Sequence, residues 1–319
     1  MPLYPELEPN ADGMLEVGDG DRVYWETCGD PAGAPALVVH GGPGSGCTPW
    51  HRRLFDPARY RVVLFDQRGC GRSAPGASEP DVDLSTNTTQ HLVADMELLR
   101  RHLDVDRWLL LAGSWGSTLA LAYAEAYPDR VSAIVVWGVT TGRRTEADWL
   151  FRGGLAPLFP QQWDDLVHGL PESDREGDVV EGYSRLLQDP DPTVRDAAAR
   201  AWCLWESATP DWPPTPGLAS RFTDPDFALG FARLVTHYVR HDLFLEDGEL
   251  LRNAGRLSGI PGVLVNGRFD LQAPLGNAWE LHRAWPGSEL VIVDDAGHAG
   301  DTPGIAEELI RATDRLASN

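Results

Sequence analysis

The stretch L-L-L-A-G-S-W-G-S-T-L-A, residues 109–120, carries an apolar run into small residues, a serine, more small residues and a helix-forming segment. Where a strand turns that sharply into a helix, the hydroxyl at the bend is exposed and can attack a carbonyl carbon. Ser114 occupies the bend. The usual pattern is G-x-S-x-G; here Ala112 takes the first position, and alanine is small enough for the same turn. A serine so placed could also do no more than cap the helix. Ser117 is a second hydroxyl in the stretch, but it lies a turn into the helix and is the poorer nucleophile.

A serine nucleophile needs a base, an acid to orient that base, and donors for the oxyanion. D-D-A-G-H, residues 294–298, places His298 just after the last apolar run, and N-G-R-F-D, residues 266–270, places Asp270 after the run before it. In this arrangement His298 takes the Ser114 proton and later gives it to the leaving group, while Asp270 orients the imidazole and stabilises its charged form. V-V-H-G-G-P-G-S-G, residues 38–46, is a glycine-rich loop after an earlier run. Its Gly42 amide, with that of Trp115, is the expected oxyanion hole, at about 3 kcal/mol per donor. The chain order Ser, Asp, His is that of α/β-hydrolases.

Such residues must be held at the ends of strands. Residues 36–39, 62–65, 108–111 and 133–136 are short apolar runs, and 262–265 and 290–293 repeat the pattern near the end. Helical spacing appears between them, with Leu92, Met96, Leu99 and Leu103 on one face of residues 88–103, and again in the tail 304–316. This alternation predicts an α/β fold, a mostly parallel sheet flanked by helices. From residue 141 to about 253 the strand signal gives way to helical spacing rich in Trp, Arg, Asp and Pro. The expected organisation is a core of residues 1–140 and 254–319, with 141–253 inserted as a helical cap over the sheet's C-terminal edge.

Composition removes other chemistries. The net charge of -21 argues against a nucleic-acid or anionic-membrane partner. All 27 basic residues are arginine, which excludes Schiff-base chemistry, pyridoxal phosphate anchoring and the lysine of a phosphate loop. Cys28, Cys47, Cys70 and Cys203 form no C-x-x-C pair and suit reduced thiols in a cytoplasmic protein. The start, M-P-L-Y-P-E-L-E-P-N, has neither the basic residues nor the apolar core of a signal peptide, and no apolar run approaches the ~20 residues of a membrane span. His237 and His241, in H-Y-V-R-H, have metal-like spacing without the glutamate of H-E-x-x-H. No metal and no cofactor is expected, and the oligomeric state is open.

Within the helical segment, A-W-C-L-W-E-S-A-T-P sets a carboxylate, Glu206, directly after Trp205. A carboxylate in tryptophan-rich surroundings calls for a partner.

The sequence resembles the prolyl aminopeptidases, or proline iminopeptidases, of the α/β-hydrolase superfamily. The resemblance rests on H-G-G-P-G (40–44), D-Q-R-G-C-G-R-S (66–73), G-S-W-G-S (113–117), W-x-x-W-E, I-P-G-V-L-V-N-G-R-F-D, A-W-E-L-H-R-A-W-P (278–286) and A-G-H, and so covers nearly the whole chain. It implies an α/β-hydrolase fold and a serine exopeptidase that removes an N-terminal residue, preferably proline, from small peptides or aminoacyl amides. It also implies that Glu206 holds the substrate's free α-amine, with Trp205 walling that site and Gly41 facing the substrate; cation–π attraction and a charge-assisted hydrogen bond would both favour the amine. Two departures stand out. The family's second amine-binding glutamate lies in a stretch like R-I-E-N-H-Y; here R-L-V-T-H-Y puts Val235 in its place, and Thr140 stands where an aromatic residue is expected. Asp242 or Glu246 could compensate. The same departures leave open an esterase, lactonase or other amide hydrolase with a retuned cap.

Overall fold

The computed structural model describes residues 2–79, 81–214 and 216–317. Among these residues one sheet holds eight strands: β1 (Ala11–Gly18), β2 (Asp21–Gly29), β3 (Ala34–Val39), β4 (Tyr60–Phe65), β5 (Trp108–Gly113), β6 (Val131–Trp137), β7 (Gly262–Gly267) and β8 (Ser288–Val293). Their spatial order is β1-β2-β4-β3-β5-β6-β7-β8. β2 is antiparallel to β1 and β4, and all other pairs are parallel.

The helices are α1 (Pro49–Arg52), α2 (Thr89–His102), α3 (Trp115–Ala126), α4 (Arg144–Phe151), α5 (Pro160–His168), α6 (Val179–Leu186), α7 (Pro192–Ala208), α8 (Pro225–Arg240), α9 (Glu249–Asn253), α10 (Leu275–Ala284) and α11 (Pro303–Leu316).

Six of the strands contain the expected apolar runs; in β3 to β7 burial on both faces is the reason the runs are continuous, whereas β8 lies at the sheet edge and is only half-buried, with Ile292 exposed. Successive side chains point to opposite sides. Leu37, Val39, Val63, Phe65 and Leu110 therefore join Met96 of α2 and Leu119 of α3 in one core, while Val38, Val62, Leu64 and Leu111 join Leu309 and Ile310 of α11 in another. Each such side chain contributes about 1.5–3 kcal/mol on burial. β1 and β2 carry no such run. Only one face of β1 is covered: Val17 is buried while Glu16 beside it is exposed, so no apolar run forms. Their available signal was G-D-G between two alternating segments, a hairpin turn.

Helices α4–α9 lie between β6 and β7, with no strand among the described residues there. Leu250 of α9 joins the core against the sheet, while helices α4–α8 bury a core of their own, in which Phe159, Tyr183, Trp202, Trp205 and Phe231 meet. That core accounts for much of the tryptophan in this segment. All four cysteines are free thiols. Among the described residues no helix is long and apolar enough to cross a membrane.

D-Q-R-G-C-G-R-S ties these layers together. Asp66 accepts from the Cys47 amide at 2.8 Å and from Arg72 Nε at 2.8 Å. Buried Arg68 holds Asp95 of α2 through two bonds, at 2.7 and 2.8 Å, and reaches Asp21 of the hairpin at 3.0 Å. Replacing Arg68 strands a buried carboxylate, so Arg68→Leu is expected to cost about 3–5 kcal/mol in unfolding free energy. Denaturant titration measures it, and a loss under 1 kcal/mol would refute the structural role.

Candidate active site

β5 ends at Gly113 and α3 begins at Trp115, so Ser114 must turn the chain between them. It does so at φ 55° and ψ -130°, a conformation that side-chain-bearing residues seldom adopt. Several contacts hold the strained bend. The Ser114 amide donates to the Trp137 carbonyl at 3.0 Å. Its own carbonyl accepts from Ser117 Oγ at 2.6 Å and from Thr140 Oγ1 at 2.9 Å. A Cβ at Gly116 would collide with the Val39 and His40 carbonyls, so glycine lets α3 press against the H-G-G loop. Ala112 is fully buried within the sheet in place of the usual glycine. Ser117 is fully buried and spends its hydroxyl on this bend, whereas Ser114 lines an open cavity.

The ends of β7 and β8 supply the acid and the imidazole. His298 Nδ1 lies 2.9 and 3.0 Å from the two carboxylate oxygens of Asp270, which is itself 2% exposed and accepts from the Ala273 amide at 2.7 Å. Donation from Nδ1–H leaves Nε2 as the basic nitrogen. Burial alone would lower the His298 pKa; the charge and hydrogen bond of Asp270, with Asp211 and Glu206 beyond, outweigh it and hold the pKa above its ordinary value. Ser114 and His298 line the same cavity.

The glycine loop reaches the elbow from β3. A Cβ at Gly41 would press on the Ser114 Cβ and the Gly113 carbonyl, so the loop can lie directly against Ser114 only without one. The Gly42 amide has no acceptor within the protein among the described residues, and the amide of Trp115, first in α3, lies ahead of any helix carbonyl. Both residues line cavity wall beside Ser114. Gln67, quoted in a motif but given no role by sequence, joins the parts. Its amide donates to His40 Nε2 at 3.0 Å, its Nε2 to the His40 carbonyl at 2.9 Å, and its Oε1 accepts from Trp115 Nε1 at 2.9 Å.

Two cavities meet at Ser114. The smaller, of about 80 Å³, is lined by Gly42, Thr140, Val235, Val239 and Leu243. The larger, of about 520 Å³, is lined by Gly41, His51, Trp137, Arg221, Phe231 and His298. Glu206 and Gln272 belong to both. Glu206 is 5% exposed and has no ion-pair partner among the described residues; Gln272 Nε2 approaches its Oε2 at 3.3 Å. Burial drives its pKa up to about 7, against the smaller pull of Arg221 and His298. Gln272 stands two residues past the N-G-R-F-D motif and belongs to no motif of the sequence.

Other expectations are corrected. Trp205 does not wall this site: it lines neither cavity, is 1% exposed, and donates Nε1 to the Leu150 carbonyl at 3.0 Å. Neighbours on a helix point about 100° apart, so when Glu206 faces the cavity Trp205 turns into the helical core. Neither Asp242 nor Glu246 lines a cavity; Asp242 pairs with Arg144 at 2.8 Å and Glu246 with Arg252 at 3.3 Å. Val235 and Thr140 do lie where the departures from the family pattern matter, in the wall of the small cavity. Leu243 joins them from a left-handed run, Asp242, Leu243 and Phe244 at φ 50°, 56° and 55°. Thr89 Oγ1 and Gln90 Nε2 donate to carbonyls of this run and hold it. His237 and His241 face other groups, the Asn87 and His237 carbonyls.

Sheet order, elbow and Asp–His pair define an α/β-hydrolase, and residues 35–300 match the family described as alpha/beta hydrolase fold. Among solved structures, the bromoperoxidase of Bacillus anthracis superposes with TM-score 0.67 at 18% identity, covering 97% of this chain and 100% of that one. The chain is 54% identical over 321 residues to a probable proline iminopeptidase of Streptomyces coelicolor, covering 99% of this chain and 98% of the relative. It is 46% identical to the proline iminopeptidase of Xylella fastidiosa (strain Temecula1), covering 98% of each. It belongs to the proline iminopeptidase family.

Proposed function

We propose that this chain is a serine exopeptidase that releases an N-terminal residue, proline foremost, from short peptides or aminoacyl amides. The observation that carries the reading is Glu206, a buried carboxylate without a cation where two cavities meet beside Ser114. A protonated α-amine docked there is the missing partner, and it sets the following carbonyl at the nucleophile.

Ser114 Oγ attacks that carbonyl while His298 Nε2 takes its proton. The negative oxygen of the tetrahedral intermediate is held by the Gly42 and Trp115 amides. The intermediate collapses to an acyl-enzyme as His298 hands the proton to the leaving amine; water, deprotonated by the same imidazole, then frees the acyl group. The 80 Å³ cavity suits one small N-terminal residue, and the larger cavity receives the departing peptide. Residues 141–253 act as the cap that excludes water from the two, and free thiols throughout the chain suit the cytoplasm.

Val235 and Thr140 favour a second reading, an esterase or amide hydrolase that does not require the amine: Val235 leaves Glu146 as the other acid of the small cavity, and Thr141 and Arg143 already hold that carboxylate, while Thr140 brings no aromatic ring. Prolyl, alanyl and N-acetyl-prolyl arylamides, compared with aryl esters, separate the two. The aminopeptidase reading expects kcat/KM for the free-amine prolyl arylamide at least 100-fold above its acetylated form, and a further gain in Val235→Glu. Equal rates with and without the acetyl group, or rapid ester turnover with no aminoacyl arylamide activity, would replace it with the second.

A further inference from the structure

Arginines near the two cavities are not in the same state. Arg143 lines the small cavity and is fully engaged, with Nε 2.9 Å from Glu146, a second bond to Glu280, and a third to Asn277 at 3.1 Å. Arg221 lines the large cavity, and among the described residues it forms no ion pair and donates no hydrogen bond. Its guanidinium rests on aromatic faces instead, 4.4 Å from the Phe222 ring centre and 5.3 Å from that of Phe231. Those contacts fix the group while leaving its N–H donors free.

We propose that Arg221 anchors the C-terminal carboxylate of the substrate, so that dipeptides with both ends free are the preferred class. This rests on the exopeptidase reading above. Glu206 and Arg221 are near enough to feel each other's charge, yet they stand farther apart than an ion-pair contact. An extended dipeptide spans about 7 Å, at roughly 3.3–3.6 Å per residue, and carries an amine at one end and a carboxylate at the other. Laid across Ser114, its amine meets Glu206 and its carboxylate meets Arg221. The position of Arg221 also fits the order of events, because the cavity it shares with His298 is where the leaving residue is protonated and departs. The other acids there do not neutralise it. Asp224 accepts from the Asp226 amide at 3.0 Å and the Phe227 amide at 3.4 Å as the cap of α8, and Asp301 lies on the loop past His298. Planar guanidinium suits a carboxylate better than an ammonium would.

The test compares Pro-Gly, Pro-Gly-NH2 and Pro-Glu-NH2 on wild type, Arg221→Met and Arg221→Lys, with a prolyl arylamide as a substrate that carries no carboxylate. Wild type is expected to show a KM about tenfold lower for Pro-Gly than for its amide, with kcat within twofold. Arg221→Met should bring that ratio close to one by raising the KM of Pro-Gly, and Arg221→Lys should restore part of it. A wild-type ratio near or below one, or a ratio that survives in Arg221→Met, overturns the proposal. So does an Arg221-dependent gain confined to Pro-Glu-NH2, which would assign the arginine to an acidic side chain. Failure of the prolyl arylamide itself would instead strike at the exopeptidase reading, so the two can be told apart.

Discussion

Ser114→Ala is expected to lower kcat by about 10⁶-fold, with labelling by a fluorophosphonate lost. The size follows from what the hydroxyl supplies. Without Oγ there is no acyl-enzyme, and the oxyanion donors with substrate binding retain only a residual acceleration of about 10³–10⁴ over water. Ser117 cannot substitute for it: it is fully buried, and its hydroxyl is bonded to the Ser114 carbonyl at 2.6 Å. Labelling should therefore persist in Ser117→Ala. Label retained in Ser114→Ala but lost in Ser117→Ala would reverse the assignment. Asp270→Asn is expected to follow with a loss of about 10⁴, because an amide in place of the carboxylate favours the wrong imidazole tautomer.

Glu206→Gln should lower kcat/KM for free-amine substrates by about 10²–10³-fold, and it should make the empty protein more stable at alkaline pH. The two effects have one cause. Burial raises the Glu206 carboxyl from 4.5 to about 7, so the native state keeps this proton over a range in which the unfolded chain has lost it. Stability contributed by the group is therefore whole below about pH 4.5, declines as pH rises through that window, and is fully lost above about 7. At 1.36 kcal/mol per unit the penalty at pH 8 is about 3 kcal/mol at most. Glutamine removes the charge and keeps the shape. The gain in Tm should appear at pH 8 and vanish near pH 4.5. A variant equally destabilised at both would show that Glu206 is held by the protein rather than reserved for a ligand. Activity on free-amine substrates should fall on the acid side for two reasons, since Glu206 must be ionised and His298 neutral for the reaction to proceed.

Six of the eight strands and the three catalytic candidates were legible because each depends on a local pattern. A strand covered on both faces has to be apolar residue after residue, as residues 109–111 are. A bend that exposes Ser114 has to be flanked by small side chains, as at Ala112, Gly113 and Gly116. The β1–β2 hairpin carries no such signal, because most of β1 meets water and the mostly covered β2 sets the polar Glu26 and Thr27 among its buried residues.

By itself, then, the sequence marked candidates for a nucleophile, its base and its acid in chain order, the parallel core and a carboxylate beside tryptophan. Tertiary structure decided which groups that carboxylate faces. It turned Trp205 inward, set Val235 and Thr140 in the cavity wall, used Gln67 and Gln272 as bridges, and left Glu206 and Arg221 on one cavity without an ion pair among the described residues. The physical reason is range. A backbone bend is set by adjacent residues, whereas whether a buried charge finds a partner depends on side chains that only folding brings together, as with Gln272 and Glu206, 66 positions apart.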